Sequence, residues 1–308
     1  MSDTVLAIIE PDTFPHEVAR RAVWIATRYG CDLELLLCDP MLTLLGNSFI
    51  ASTEAKKFVD SIKDAQKQII GDIAASVASN DLRIEANILY ERPISDAIIA
   101  KALDNDPKFV VKGTPYHRPA ERATFTYTDW RLIRKLDTST WLVKPGEWKE
   151  PPIIVGAVDP THRHDPKAAI DQKIVGAGKA LAEKCDGHLL LLHTYQRLVE
   201  IGSLATEALN PIKIPIDDLD KKIRTTHQRQ LDALALDYAI PSDDVYQLPG
   251  RTPEILPAFA RTHDADVVIM GAVARTSLKR RIVGSTAEQV LDHLPCDVLL
   301  VRNGQAVK

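Results

Sequence analysis

Short unbroken apolar runs alternate with longer stretches of helical period along the whole chain. The runs at 5–9 and 189–192 have no polar residue at alternate positions, so they predict strands buried on both faces. Between such runs, residues 16–29 place Val18, Ala22, Ile25 and Ala26 on one stripe, and residues 167–184 do the same with Ile170, Ile174, Ala177 and Leu181. The stretches 53–79 and 219–238 are long, charged and amphipathic, which predicts helices with one face in water. Third strands are expected at 83–90 and 243–248, and Pro93 and Pro253 then fall where a new helix begins, a place that does not need the missing N–H.

This alternation occurs twice. Val5-Leu-Ala-Ile-Ile9 followed by Glu10-Pro11-Asp12 is matched by Ile153-Ile-Val-Gly-Ala-Val158 followed by Asp159-Pro160-Thr161. Phe109-Val-Val-Lys-Gly113 is matched by Val267-Val-Ile-Met-Gly271, and Trp141-Leu-Val-Lys144 by Leu299-Leu-Val-Arg302, at one constant offset. A repeat of that length is a domain. The expected division is 1–146 and 151–308, separated by the proline-bearing segment Pro145-Gly-Glu-Trp-Lys-Glu-Pro-Pro152. Each copy reads β-α-β-α-β-α-β-α-β. The expected fold is therefore α/β: two tandem Rossmann-like domains, each a five-stranded parallel sheet with helices on both faces.

Composition narrows the chemistry. With 38 Lys and Arg against 42 Asp and Glu, the net charge is −4, so no broad cationic field is available for nucleic acid and none is expected as a partner. Four cysteines without a Cys-x-x-Cys leave no disulfide scaffold or zinc ribbon, and all four read as buried thiols in or beside strands. The N-terminus carries no basic region before its short apolar run, and no stretch is long enough for a membrane span. A cytoplasmic protein without membrane association is the expectation.

In a doubly wound sheet, ligands bind beyond the carboxyl ends of the strands where strand order reverses, which directs attention to the loops after strands one and four. In the second copy Gly271 opens the latter loop and lets a ligand approach the backbone. Lys279, Arg280 and Arg281 follow, and Gly284-Ser285-Thr286 then opens a helix whose free N–H groups and hydroxyls suit an anion, although Ser285 also reads as a plain helix cap. No Gly-x-Ser-x-Gly, His-Glu-x-x-His or Gly-x4-Gly-Lys-Ser/Thr is present, so no enzyme is expected, with slow turnover of a bound ligand at most.

These residues resemble the universal stress protein family. Strand one ending in Val158-Asp159, the loop from Gly271 to Ser285, and Ala287-Glu-Gln-Val-Leu291 before Pro295-Cys-Asp-Val-Leu-Leu-Val-Arg302 carry the likeness. The tandem arrangement and Phe125-Thr-Tyr-Thr-Asp-Trp130 are similar to the E-type tandem members of Gram-negative bacteria. The family motif Gly-x2-Gly-x9-Gly-Ser/Thr is met from Gly271 to Ser285, except that Ala274 stands for its second glycine.

The resemblance implies an adenine-nucleotide site, for ATP or AMP with Mg²⁺ accompanying ATP, in which Asp159 meets the adenosine part. It implies that Gly271, Ala274, Arg275, Gly284, Ser285 and Thr286 lie along ribose and phosphates, with Thr194 just past strand two. A Cβ at Ala274 weakens ATP binding, or favours AMP, if that position needs a positive φ or a close approach of the phosphates. The first copy is expected to be degenerate: Glu10 stands for Asp159, Thr126-Tyr127-Thr128 for Gly284-Ser285-Thr286, and Lys112 alters the flank of Gly113. The apolar last strands at 140–143 and 298–301 resemble edges through which family domains pair. Intramolecular pairing of the two copies is therefore expected, with a homodimer as an extension.

Three further groups have plainer readings. His162-Arg163-His164-Asp165 could hold a divalent metal but reads first as a solvated loop; His193 reads as a structural histidine. Arg92 and Arg251, matched between the copies, read as loop anchors. Two other functions stay open at this level: a stress scaffold that binds no nucleotide, and a carrier of a small apolar ligand.

Overall fold

The computed structural model describes residues 3–38, 53–91, 93–114, 127–161, 170–197, 216–275, 281–283 and 289–302. Two compact units emerge, one of residues 1–147 with 272–283 and one of residues 148–271 with 284–308.

The first unit contains β1 (Thr4–Ile9), α1 (Pro15–Tyr29), β2 (Asp32–Cys38), α2 (Thr53–Ser76), β3 (Ile84–Leu89), α3 (Ile94–Asn105), β4 (Phe109–Gly113), α4 (Tyr127–Lys135) and β5 (Ser139–Val143). Its strands lie in the order β3-β2-β1-β4-β5, all parallel. The apolar runs are buried strands as the pattern predicts: Val5 to Ile9 are sealed, and so is the stripe Val18, Ala22, Ile25 and Ala26 on α1. Each such side chain contributes about 1.5–3 kcal/mol on leaving water. Trp141 and Phe109 meet edge to face with ring centroids 6.0 Å apart inside this core. Burial, with Glu10 nearby, pushes the Cys38 thiol far above its ordinary value, which keeps it a packing group.

The second unit contains β6 (Ile153–Ala157), α5 (Ile170–Cys185), β7 (His188–Tyr195), α6 (Ile216–Asp237), β8 (Val245–Pro249), α7 (Thr252–Thr262), β9 (Val267–Gly271) and β12 (Asp297–Val301). Its order β8-β7-β6-β9-β12 repeats that of the first unit, again parallel. Between β9 and β12 in sequence, β10 (Val273–Arg275) and β11 (Arg281–Val283) form a two-stranded antiparallel hairpin, and its residues group with the first unit. The fold class is α/β with parallel sheets and helices on both sides, as expected.

Local departures have local causes. Pro93 is the residue before α3, with φ −67° and ψ 142°, and its carbonyl accepts the first helical bonds from Asp96 and Ala97; Pro253 does sit in the first turn of α7. A 3₁₀ turn at Ser242–Asp244 delays β8. Cys185 lies at the end of α5 rather than in a strand and is only partly buried, its thiol donating to the Leu181 carbonyl at 3.0 Å.

The linker is tied down by Asp266, whose carboxylate accepts the Lys149 N–H at 2.9 Å and the Ile153 N–H at 2.7 Å. Asp266 is buried, so Asp266→Ala removes two charge-assisted bonds and leaves their donors short of a partner. We expect it to cost the second unit about 2–3 kcal/mol in urea unfolding followed through Trp148 and far-UV dichroism.

Candidate functional site

The carboxyl ends of β6, β7 and β9 form one edge of the second unit's sheet, and three of the expected site residues stand there. β6 leads through Val158 into Asp159, Thr194 is near the end of β7, and Gly271 closes β9. Asp159 is about half exposed at its side chain. Its backbone N–H donates to Asp171 Oδ1 at 2.8 Å, and its own Oδ1 accepts from Thr161 Oγ1 at 2.6 Å and Thr161 N at 3.2 Å. Such a turn is the local bonding for which short acidic side chains are suited, and it aims the carboxylate along the edge.

At the carboxyl ends of β7 and β8 lies an open cleft of about 230 Å³ lined by Thr194, Gln196, Gly250, Arg251, Thr252, Pro253 and Gln289. Thr194 Oγ1 and Thr252 Oγ1 are 2.6 Å apart, which ties the end of β7 to the start of α7. Gly250 makes the intervening turn with φ +128°, in the region that glycine alone enters freely. Arg251 is exposed and reaches Glu254 Oε1 at 3.3 Å, a pair of little energetic weight. Hydroxyls, amides and a guanidinium give the cleft the chemistry of a polar, oxygen-rich ligand.

The remaining expected residues fall elsewhere. Ala274 and Arg275 lie on β10, with Ala274 paired to Ile282. Strand backbone has a negative φ, so Ala274 does not adopt the left-handed conformation that would demand glycine. Gly284, Ser285 and Thr286 lie outside the described residues, as do Arg92, Thr126 and His162 to Asp165. Among the described residues, no three of His, Cys, Asp and Glu converge to hold a metal ion.

Two features at the sheet edges were missed in the sequence. In the second unit, buried His193 has Nδ1 3.1 Å from the Val158 carbonyl and Nε2 3.0 Å from Nδ1 of His227 on α6. Burial, reinforced by His193, lowers the pKa of His227, while Asp159 acts in the opposite sense.

In the first unit, the ammonium of Lys112 lies 2.6 Å from Glu10 Oε2 and 2.8 Å from Asp129 Oδ1, and it also donates to the Gly113 carbonyl at 3.2 Å. Three partners satisfy its three N–H bonds. Burial alone would lower the lysine pKa, but Asp129 and Glu10 outweigh it and hold it above the ordinary value. Burial raises that of Glu10 despite Lys112.

Two copies of a 3-2-1-4-5 parallel sheet define a tandem doubly wound α/β protein. The chain belongs to the universal stress protein family, whose description matches residues 1–144 and 154–302. It is similar to "Universal stress protein E" of Escherichia coli K12, 26% identical over 99% of this chain and 95% of that protein. The "Universal stress protein E homolog" of Haemophilus influenzae is 25% identical over 97% and 96%. Among solved structures, a putative universal stress protein from Pseudomonas aeruginosa superposes with a TM-score of 0.74, at 21% identity, over 99% of this chain and 95% of that one. One from Archaeoglobus fulgidus superposes at 0.63 with 12% identity, over 97% and 98%; these two show the fold.

Proposed function

We propose that the second unit binds an adenine nucleotide, ATP or AMP, and that the protein uses occupancy of this site as a sensing or regulatory signal in a cytoplasmic stress response. The observation that carries this reading is that Asp159, Thr194 and Gly271 stand at the same end of three adjacent parallel strands, and that Thr194 also lines an open polar cleft. Asp159 would accept from the adenosine part, Gly271 would leave room for the sugar, and Gly284, Ser285 and Thr286 would meet the phosphates. At about 230 Å³ the cleft is smaller than the ~300 Å³ at which pockets begin to enclose whole small molecules, so it would hold one portion of the nucleotide while the rest extends along the edge. Mg²⁺ would enter with ATP, on its phosphates.

On this reading the first unit takes no nucleotide. Glu10, which stands where the second unit has Asp159, is instead engaged by the buried Lys112 ammonium together with Asp129. Turnover would be slow at most, in keeping with a sequence that carries none of the common catalytic motifs.

The test is calorimetric titration of nucleotide-stripped protein with ATP and AMP, beside Asp159→Ala and Gly284→Tyr. We expect one site per chain, weakened about tenfold or more by loss of the Asp159 hydrogen bond and abolished by the tyrosine. Absence of heat at millimolar nucleotide would overturn the reading in favour of a scaffold that binds none.

A further inference from the structure

We infer that His193 is a positioning residue for Asp159, held in one tautomer by His227; this deepens the nucleotide reading of the site and rests on it. The argument begins with the carbonyl of Val158, which can only accept. His193 Nδ1, 3.1 Å away, therefore carries the hydrogen in the neutral ring. Its Nε2 is then a lone pair, and the group facing it at 3.0 Å is His227 Nδ1, which must be the donor. Both imidazoles are thereby fixed as Nδ1–H tautomers, in a relay that runs from α6 through β7 to the peptide joining Val158 to Asp159.

That peptide matters because Asp159 stands one residue beyond it. Val158 N–H donates to Leu192 O at 3.0 Å on one side, and His193 holds its carbonyl on the other, so the exit of β6 is pinned from both directions. From there the chain makes the turn in which Thr161 bonds Asp159 Oδ1 and Asp171 receives the Asp159 N–H. His193 Nδ1 lies 3.9 Å from Asp159 Oδ1, too far for a hydrogen bond, so the histidine acts on the carboxylate through the backbone. Removing the Nδ1–H would let the Val158 carbonyl turn and carry the carboxylate off the ligand edge. The ring contacts of His227 with His193 and Tyr195 seat the second imidazole against β7, which makes α6 part of the support of the site.

The experiment uses the full chain, labelled with ¹⁵N, and AMP as the probe. Long-range ¹H–¹⁵N spectra of the neutral protein should show both His193 and His227 protonated at Nδ1. His193→Asn keeps a donor near Val158 O and should bind AMP within about threefold of the parent. His193→Leu, which removes it, should bind about tenfold more weakly or worse and displace the amide signals of Asp159 and Thr161. A His193 ring protonated at Nε2 alone, or a folded leucine variant with unmoved Asp159 and Thr161 amides, would overturn the inference. If the leucine variant does not fold, the asparagine variant decides, because displaced Asp159 and Thr161 amides there would count against it. A parent protein that binds no AMP would end the nucleotide reading, while the tautomers and the two amide signals would still decide whether His193 positions Asp159.

Discussion

Lys112→Met should destabilise the first unit by about 3–5 kcal/mol, although it exchanges a charged side chain for an apolar one in a fully buried place. The loss comes from what stays behind. Asp129 is completely buried and Glu10 only partly exposed, and without the ammonium both carboxylates lose the buried charge that faces them. Replacing all three groups together, as Lys112→Met with Asp129→Leu and Glu10→Gln, should recover most of the loss, because an apolar interior does not need the triad.

Glu10→Gln alone should be nearly neutral at pH 7. Its carboxyl is held above the ordinary range in the fold, so its contribution to stability is greatest below that range and falls as pH rises through the folded value. Lys112 is also held upward, so its contribution persists through neutral pH and is lost only as pH rises through its folded value, above the ordinary amine range. Urea unfolding read by tryptophan fluorescence checks all of this, since Trp24, Trp130 and Trp141 belong to the first unit. A single Lys112→Met with parent stability would show that the ammonium is not needed to hold the carboxylates.

The buried strands and the helix stripes were legible because they are written in local pattern. A strand buried on both faces has to be an unbroken apolar run, and Val5 to Ile9 or Val267 to Met270 cannot be much else. The doubled pattern then supplied the tandem organisation and, with it, the loops to inspect. Gly271 followed from its place at the end of strand four, whereas Asp159 and Thr194 came from the resemblance to the universal stress protein family.

What escaped has a common physical character. Lys112 meets Asp129, and His193 meets His227, only after separate elements have packed; no periodicity marks such pairs in advance. The hairpin β10–β11 was hidden for another reason. Its strands have three residues each, too short for a periodicity to mark them. They sit within the spacing of the family motif itself, so Ala274, which stands for the motif's second glycine, lies in strand backbone.

The two aligned glycines give the second large effect. Gly113→Ala should cost the first unit about 3 kcal/mol, whereas Gly271→Ala should cost the second unit under about 1 kcal/mol. A Cβ at Gly113 would lie 2.4 Å from the Thr13 carbonyl oxygen and 2.8 Å from Val18 Cγ2. The turn at 10–13, closed by the Thr13 N–H bond to Glu10 O, passes directly over the end of β4, so backbone would have to move to make room. At Gly271 the nearest atom to an added Cβ is Ile170 Cγ1 at 3.0 Å, part of a flexible, partly exposed side chain that can give way.

Packing therefore accounts for the glycine of the first unit but not for that of the second. If Gly271 is there to let a ligand reach the backbone, Gly271→Ala should leave urea unfolding nearly unchanged and still weaken AMP binding in the calorimeter by about tenfold. Equal destabilisation at the two positions would contradict the packing difference, and an unweakened AMP isotherm would remove the ligand as the reason for a glycine at the end of β9.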